Sequence, residues 1–221
     1  MNIEKLSVFT PDPEALSDFY ARRFRADIFR EGAAFCIPFG KSTLHLLPGD
    51  RPACYHFALN IPSDTLESAE AFLRSFTELL PDPDTGETAV DFTAWNAHAL
   101  YFLDPAGNVV ELIARHSLRD RAGSAFRPEL IRGISEIGTP VASVQKAFDT
   151  LHGVAGLPRY SGNFSSFCAA GDAHGLIILT DRDRTWFPTA IPSRPEPWHL
   201  EGSRLGRSLA ISFDGDRIKV A

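Results

Sequence analysis

The sequence predicts an α+β protein in which one strand–helix–strands unit is repeated along the chain. Three observations carry this prediction. Short stretches alternate apolar and polar residues, as strands do. A helical pattern follows the first strand of each unit, and the same order of elements recurs three times. A helix that connects two strands of one sheet lies on the convex side of that sheet. Two such sheets that face each other then form a half-barrel cup. The concave side of a cup is where we expect a small molecule to bind.

The first repeat opens with an alternating strand at residues 3–10. The segment PDPEALSDFYARRF follows, in which Asp12 is a suitable N-cap and Pro13 a suitable first helical residue. Residues 33–38 and 42–47 are then expected to form two strands that meet at a turn.

The second repeat has the same order. Residues 55–61 alternate as a strand, and Pro62-Ser63-Asp64 opens a helix predicted to run to about residue 79. Strands are predicted at residues 97–103 and 109–114. The stretch DPAGN between them contains Pro, Gly and Asn, which favour a tight turn.

The third repeat is weaker. A strand at 131–139 is followed by a helical pattern from Pro140 to about Leu151, and strands are predicted at 165–170 and 175–180.

The remainder of the chain completes the predicted domain organisation. Residues 184–206 are rich in proline and lack periodicity, which predicts a long loop that serves as a lid. Residues 207–213 resemble the first strand of a truncated fourth repeat. We therefore predict a 1–115 unit of two paired repeats, a polar linker at 116–130, and a 131–221 unit.

Composition excludes several classes of protein. The 221 residues are 44% hydrophobic and 23% charged, and no apolar run is long enough to cross a membrane. The formal net charge of −6, without a basic aromatic cluster, argues against nucleic-acid binding. The N-terminal residues lack the pattern of a secretory signal, and the three cysteines are far apart. These features predict a cytoplasmic protein with reduced thiols.

Strand alternation selects the side chains that enter the cup. In residues 55–61 the apolar set faces the helix, so His56 faces the concave side. Glu111 lies mid-strand between Val109 and Ile113, and His45 shares a strand face with Thr43 and Leu47.

Two interpretations of His45, His56 and Glu111 stay open. A single strand histidine is most often an ordinary core or surface residue, and Glu111 alone could pair with an arginine. A carboxylate buried without a partner costs several kcal/mol, and a divalent metal held by two imidazoles and this carboxylate would offset that cost. Such a site would also leave coordination positions open for substrate or water.

The segment from Tyr101 to Leu112, YFLDPAGNVVEL, resembles the hallmark of the vicinal oxygen chelate superfamily. This group includes glyoxalase I, bleomycin resistance proteins and type I extradiol dioxygenases. The resemblance implies paired βαβββ modules, with a metal bound by residues on the first and last strands of two modules. It covers the first 115 residues well and the third repeat loosely.

Carried over to this chain, the resemblance implies that the second module supplies His56 and Glu111 and the first module supplies His45. Lys5 departs from the pattern, because it stands where a ligand is usual. Either the metal has three protein ligands, or the site is metal-free and Lys5 pairs with Glu111. The third module has Glu136 near its first-strand position but no ligand on its last strand, so we expect the C-terminal unit to bind no metal.

Two residues are candidates for handling protons. Tyr101 stands where the resemblance implies a tyrosine that acts on substrate oxygens. His98 is a candidate general base on the same strand. The two residues are three positions apart on the strand, so without a bulge only one of their side chains can face the cup.

The expected function is that of a metal-dependent enzyme of the glyoxalase and dioxygenase type. The metal (Fe, Mn, Zn or Ni) would chelate two oxygens of a small organic substrate, in a lyase, isomerase or ring-cleaving reaction. The alternative is a metal-free protein that sequesters a small molecule, as the bleomycin resistance branch does. We expect no nucleic-acid or membrane partner, and a homodimer is compatible with the pattern but not required by it.

Overall fold

The structure, a computed structural model, describes residues 1–221 and contains fifteen strands and three α-helices. The helices are α1 (Pro13–Phe24), α2 (Leu66–Arg74) and α3 (Val144–Ala155). The strands are β1 (Asn2–Thr10), β2 (Phe29–Glu31), β3 (Ala34–Phe39), β4 (Ser42–Pro48), β5 (His56–Ile61), β6 (Val90–Phe92), β7 (Ala97–Leu103), β8 (Val109–Arg115), β9 (Gly133–Val141), β10 (Arg159–Gly162), β11 (Phe167–Asp172), β12 (Gly175–Asp181), β13 (Trp198–Arg204), β14 (Arg207–Phe213) and β15 (Ile218–Val220).

The strands form two mixed sheets. The seven-stranded sheet has the order β15-β14-β13-β1-β4-β3-β2, and the eight-stranded sheet has the order β10-β11-β12-β9-β5-β8-β7-β6. Within each complete repeat the first strand pairs in parallel with the last, as β1–β4, β5–β8 and β9–β12 do. The predicted α+β class with tandem βαβββ modules and half-barrel cups is confirmed. None of the helices is long and apolar enough to span a membrane.

The repeats pair differently from the expectation that the first and second share one cup. The first repeat pairs with the C-terminal strands through β1 and β13, and the second pairs with the third through β5 and β9. Each first strand has one edge occupied by the last strand of its own repeat, so its other edge must pair with another repeat. Alternation fixes which face of a strand is buried but not which repeat pairs with it. The 116–130 linker remains a prediction as a domain boundary.

The C-terminal part of the chain contains more sheet than the sequence predicts. Strand β13 lies within residues 184–206, which the lack of periodicity predicts to be loop, and β15 follows β14. The fourth repeat therefore has three strands rather than one. The period of two is visible in β13, where Trp198, Leu200 and Gly202 are buried while His199 and Glu201 are exposed.

The helices pack on the convex faces through their apolar sides. In α1 the Asp12 carboxylate accepts a hydrogen bond from the Ala15 amide at 2.9 Å, as an N-cap does. Tyr20 and Phe24 of this helix are buried in the main core. Helix α2 ends at Arg74, five residues before the predicted end at about 79.

The turn between β7 and β8 is held by a buried carboxylate. One oxygen of Asp104 accepts hydrogen bonds from the backbone amides of Ala106 and Asn108, both at 3.0 Å. The other accepts from the Tyr20 hydroxyl and the Asn108 side-chain amide, both at 2.9 Å. Burial raises the pKa of Asp104. The DPAGN turn thus joins α1 to the start of β8, which carries Glu111.

We expect the substitution Asp104→Ala to lower the free energy of unfolding by about 3 kcal/mol, because it leaves several buried donors without an acceptor. The measurement is chemical denaturation. Asp214→Ala is the matched control, since Asp214 also accepts from two turn amides but is solvent-exposed, and its loss should be a small fraction of the first. Equal losses would show that burial of the Asp104 network contributes nothing.

Candidate metal centre and ligand cavity

A cavity of about 460 Å³ lies on the concave side of the eight-stranded sheet. Its walls come from the second repeat, the third repeat and the loop after β12. Six aromatic side chains line it: Phe92, Trp95, Tyr101, Phe167, Trp186 and Phe187. Its polar lining includes His56, Glu111 and Glu136. The cavity is within the size range of sites for small organic molecules.

Strand register explains why three ionisable side chains meet in this cavity. Ala58 of β5 pairs with Glu111 of β8 on one side and with Glu136 of β9 on the other. Because Ala58 has only a methyl group, the two carboxylates can approach each other across it. His56 lies two residues before Ala58 and projects from the same face. The candidate ligand atoms of His56, Glu111 and Glu136 all lie within 4.8 Å of one another.

The imidazole of His56 is oriented by the backbone. Its Nδ1 lies 3.1 Å from the Val109 carbonyl oxygen and donates to it, so Nε2 carries the lone pair. Burial lowers the pKa of His56 to about 4, so the ring is neutral at pH 7. Nε2 lies 3.5 Å from a carboxylate oxygen of Glu111. Two acceptors at this distance require either a proton on Glu111 or a cation between them.

The two carboxylates share one cation from the protein. The buried Arg115 guanidinium pairs with Glu136 and lies over the Trp95 ring, 5.3 Å from its centroid. Burial, followed by the charge of Glu136, raises the pKa of Glu111 well above its usual range. Tyr101 pairs with Glu111 across the two strands, which places its hydroxyl beside this carboxylate. Burial raises the pKa of this hydroxyl, so it keeps its proton.

These residues fit a divalent cation. With both carboxyls ionised, two carboxylates and one guanidinium leave a net charge of −1 in a buried site, which a cation would neutralise. One imidazole and two carboxylates form a donor set that suits Zn²⁺, Fe²⁺ or Mn²⁺. The Nδ1 hydrogen bond of His56 is the contact that commonly orients a metal-binding histidine.

The structure brings His56, Glu111 and Tyr101 together but places His45 elsewhere. His45 lies on β4 of the seven-stranded sheet, next to Cys36. The predicted convergence of His45 with the other two ligands is therefore wrong, because the first repeat does not share a sheet with the second. Glu136 from the third repeat joins them instead, so the C-terminal unit, which the sequence predicts to bind no metal, contributes a candidate ligand.

Lys5 does not pair with Glu111. Its ammonium lies 3.3 Å from Glu201 in the seven-stranded sheet. The departure from the family pattern at Lys5 therefore has no bearing on the cavity of the other sheet.

His98 lies outside the cavity lining, so its predicted role as a base at this site is wrong. Its Nδ1 is 2.9 Å from Nε2 of His116, and its Nε2 is 3.8 Å from Asp91. Alternation along β7 directs Tyr101 into the cavity and His98 to the opposite face.

Sequence reasoning missed Arg115 as a component of the site. It lies four residues after Glu111 on the same strand face, and both side chains are buried. Two charged residues on the buried face of one apolar strand are the signal that could have identified it, because buried charges are normally paired.

The loop after β12 closes one side of the cavity through Trp186. The Trp186 ring lies 5.6 Å from the His56 ring, and its Nε1 donates to the Cys54 carbonyl oxygen at 3.4 Å. A Cβ placed at Gly138 would come within 2.5 Å of this indole, so the glycine leaves room for it. The part of segment 184–206 near Trp186 therefore packs on the floor of the cup.

Comparisons with known proteins show a structural likeness without a sequence match. No family model and no curated protein matches the chain. A proposed dioxygenase from Bacillus subtilis is similar in structure, with a TM-score of 0.58 and 16% identity, over 81% of this chain and 63% of the Bacillus chain. A glyoxalase I variant from Zea mays is similar with a TM-score of 0.55 and 13% identity, over 97% of this chain and 89% of the maize chain.

This chain shares the fold of these two structures. The resemblance carried by YFLDPAGNVVEL is thus confirmed at the level of the fold. In this fold the DPAGN turn connects β7 to β8 and places Glu111 three residues after Asn108.

Proposed function

We propose that the chain is a metal-dependent enzyme of the glyoxalase and dioxygenase type, acting on a small organic substrate with two neighbouring oxygens. The observation that carries the proposal is the neutral His56 Nε2 facing the buried Glu111, with Glu136 in reach. Buried groups with shifted pKa values that gather in one cavity are typical of an active site.

The residues of the cavity have separable roles. His56, Glu111 and Glu136 would hold the metal, which when bound would supply a Lewis acid for the substrate oxygens. Arg115 pairs with Glu136, holds it in position and offsets part of the rise in pKa that burial causes. Tyr101 holds a proton at its hydroxyl, next to Glu111, and is the residue we assign to hydrogen-bond a substrate oxygen.

The aromatic walls support a flat, apolar substrate body. Trp95, Phe167, Trp186 and Phe187 surround the polar cluster and exclude water from it, which strengthens its electrostatic interactions. Arg184 also lines the cavity and is exposed to solvent, so an anionic substituent of the substrate would find a partner there.

A metal-free protein that sequesters a small molecule is the second candidate function. The ion pair between Arg115 and Glu136 favours it, because Glu136 already has a cationic partner. In this alternative Glu111 carries a proton, which its raised pKa supports, and the protonated carboxyl faces His56 Nε2 as a hydrogen-bond donor.

The proposed setting is the cytoplasm, which is supported by the three free cysteines. The cavity draws its lining from the second repeat, the third repeat and the loop after β12 of one chain.

Binding of Mn²⁺ tests the proposal, because this ion prefers carboxylate and imidazole to thiolate ligands. We expect the chain to bind Mn²⁺ in equilibrium dialysis, and Glu111→Gln to weaken its affinity at least about a hundredfold. Glu196→Gln is the control, since Glu196 is equally buried but pairs with Arg51 away from the cavity. Unchanged Mn²⁺ affinity in Glu111→Gln would refute the assignment. Retention of an aromatic ligand by Glu111→Gln, without metal, would support sequestration.

A further inference from the structure

The seven-stranded sheet carries its own polar cluster on its concave face. Strand register aligns Cys36 of β3, His45 of β4 and Ser7 of β1 in one row. The equivalent row of the other sheet contains Tyr101 and Glu111. The two sheets thus place chemically active side chains at matching positions, but the residue types differ completely. The cluster is therefore not a second copy of the first site.

Three potential ligand atoms converge in this cluster. Cys36 Sγ lies 3.6 Å from His45 Nδ1, and the same nitrogen lies 3.8 Å from a carboxylate oxygen of Glu31. All three ligand atoms are within 4.8 Å of one another. In a tetrahedral zinc site, bond lengths of about 2.3 Å to sulfur and about 2.05 Å to nitrogen separate those two atoms by about 3.6 Å. The thiol and the imidazole already have this spacing.

Burial and charge also suit a cation. Cys36 is completely buried and the His45 side chain is 6% exposed, whereas the Glu31 side chain is 58% exposed, so an ion could enter from the Glu31 side. Glu31 and Glu201 carry two negative charges, against the single positive charge of Lys5. The Lys5 ammonium lies 3.9 Å from the Glu31 carboxylate and 3.3 Å from the Glu201 carboxylate. A divalent cation would neutralise this excess together with the charge of a Cys36 thiolate.

We propose that Glu31, Cys36 and His45 form a second metal site, in the seven-stranded sheet, for one thiophilic divalent cation of the Zn²⁺ class. The three ligands come from β2, β3 and β4, so the ion would fasten the exposed edge strand β2 to the interior of the sheet. The site is separate from the aromatic cavity and does not depend on the proposed enzyme activity.

Co²⁺ is the probe, because a cobalt–thiolate bond gives a charge-transfer band in the near ultraviolet that oxygen and nitrogen ligands do not give. Titration of the reduced, metal-free protein with Co²⁺ is expected to produce this band and to bring it to saturation. Cys36→Ser should abolish the band. Cys54→Ser is the matched control and should retain it, because Cys54 lies outside the cluster. Glu111→Gln should also retain it, which separates this site from the first.

A second pair of variants avoids the buried core. Glu31→Gln removes an exposed ligand and should weaken Co²⁺ binding at least about tenfold. Glu201→Gln removes one nearby negative charge without removing a ligand. It should weaken Co²⁺ binding less than Glu31→Gln does. Absence of the band in the wild-type chain, or its persistence in Cys36→Ser, would overturn the proposal. Equal effects of Glu31→Gln and Glu201→Gln would overturn the assignment of Glu31 as a ligand.

Discussion

Replacement of Arg115 by methionine is expected to lower the free energy of unfolding of the metal-free protein by about 3–5 kcal/mol at neutral pH. Arg115 is completely buried and pairs with Glu136, and Glu111 lies in the same cluster. Methionine fills similar space but leaves two buried carboxylates without a cation. The measurement is urea unfolding in the presence of a chelator.

The unfolding free energy lost in Arg115→Met should depend on pH, in a direction that the shifted pKa values determine. Burial raises the pKa values of both Glu111 and Glu136. A carboxyl whose pKa is higher in the folded than in the unfolded state binds more protons when folded, so its contribution to stability decreases as pH rises. Without Arg115 these pKa values should rise further. The destabilisation by Arg115→Met should therefore be smaller at pH 5 than at pH 8.

The double variant Arg115→Met with Glu136→Met is the control for this prediction. Replacing both members of a buried ion pair by apolar residues is often close to neutral, whereas removing one member is not. The double variant should therefore recover most of the stability lost in Arg115→Met. If the double variant were as unstable as the sum of the two single variants, the ion pair would contribute no coupling energy.

The substitution Trp186→Ala is expected to cost about 3–5 kcal/mol of unfolding free energy, as is usual for a buried aromatic residue. Only 3% of Trp186 is exposed, and its ring packs on Gly138 and beside His56. For a chain of this size the loss corresponds to a fall in melting temperature of about 10 °C. Binding of any aromatic ligand should weaken as well, because one wall of the cavity is lost.

Phe187 offers a matched control for Trp186. It is the next residue of the same loop and lines the same cavity, but it is 37% exposed. Phe187→Ala should weaken ligand binding with a much smaller change in melting temperature. Equal melting temperatures for the two variants would show that Trp186 does not anchor the loop.

Local pattern was sufficient to place the residues within each strand. The alternation of β5 sends Phe57 and Leu59 into the main core and His56 into the cavity, as predicted. The same alternation places Glu111 on the cavity side of β8 and separates Tyr101 from His98. These predictions succeed because the face of a strand is set by a period of two residues, which is visible in a single sequence.

The pairing of the repeats could not be predicted in the same way. It depends on which of several similar strand edges come together, and each edge offers the same backbone hydrogen-bonding groups. For this reason the sequence alone predicts the wrong cluster for His45. The sequence places Glu136 near a matching position, but only its register with Ala58 brings it opposite Glu111.

The junction between β1 and β13 has a kinetic consequence for biosynthesis. The Ser203 hydroxyl donates to Glu4, 199 positions away in sequence. On the ribosome, β1 emerges well before its partner β13, because strands β2 to β12 lie between them in sequence. Contacts so distant in sequence slow folding. Until β13 pairs with it, the unpaired edge of β1 can associate with other chains. Chaperone protection of this edge during translation would therefore benefit the yield of native protein.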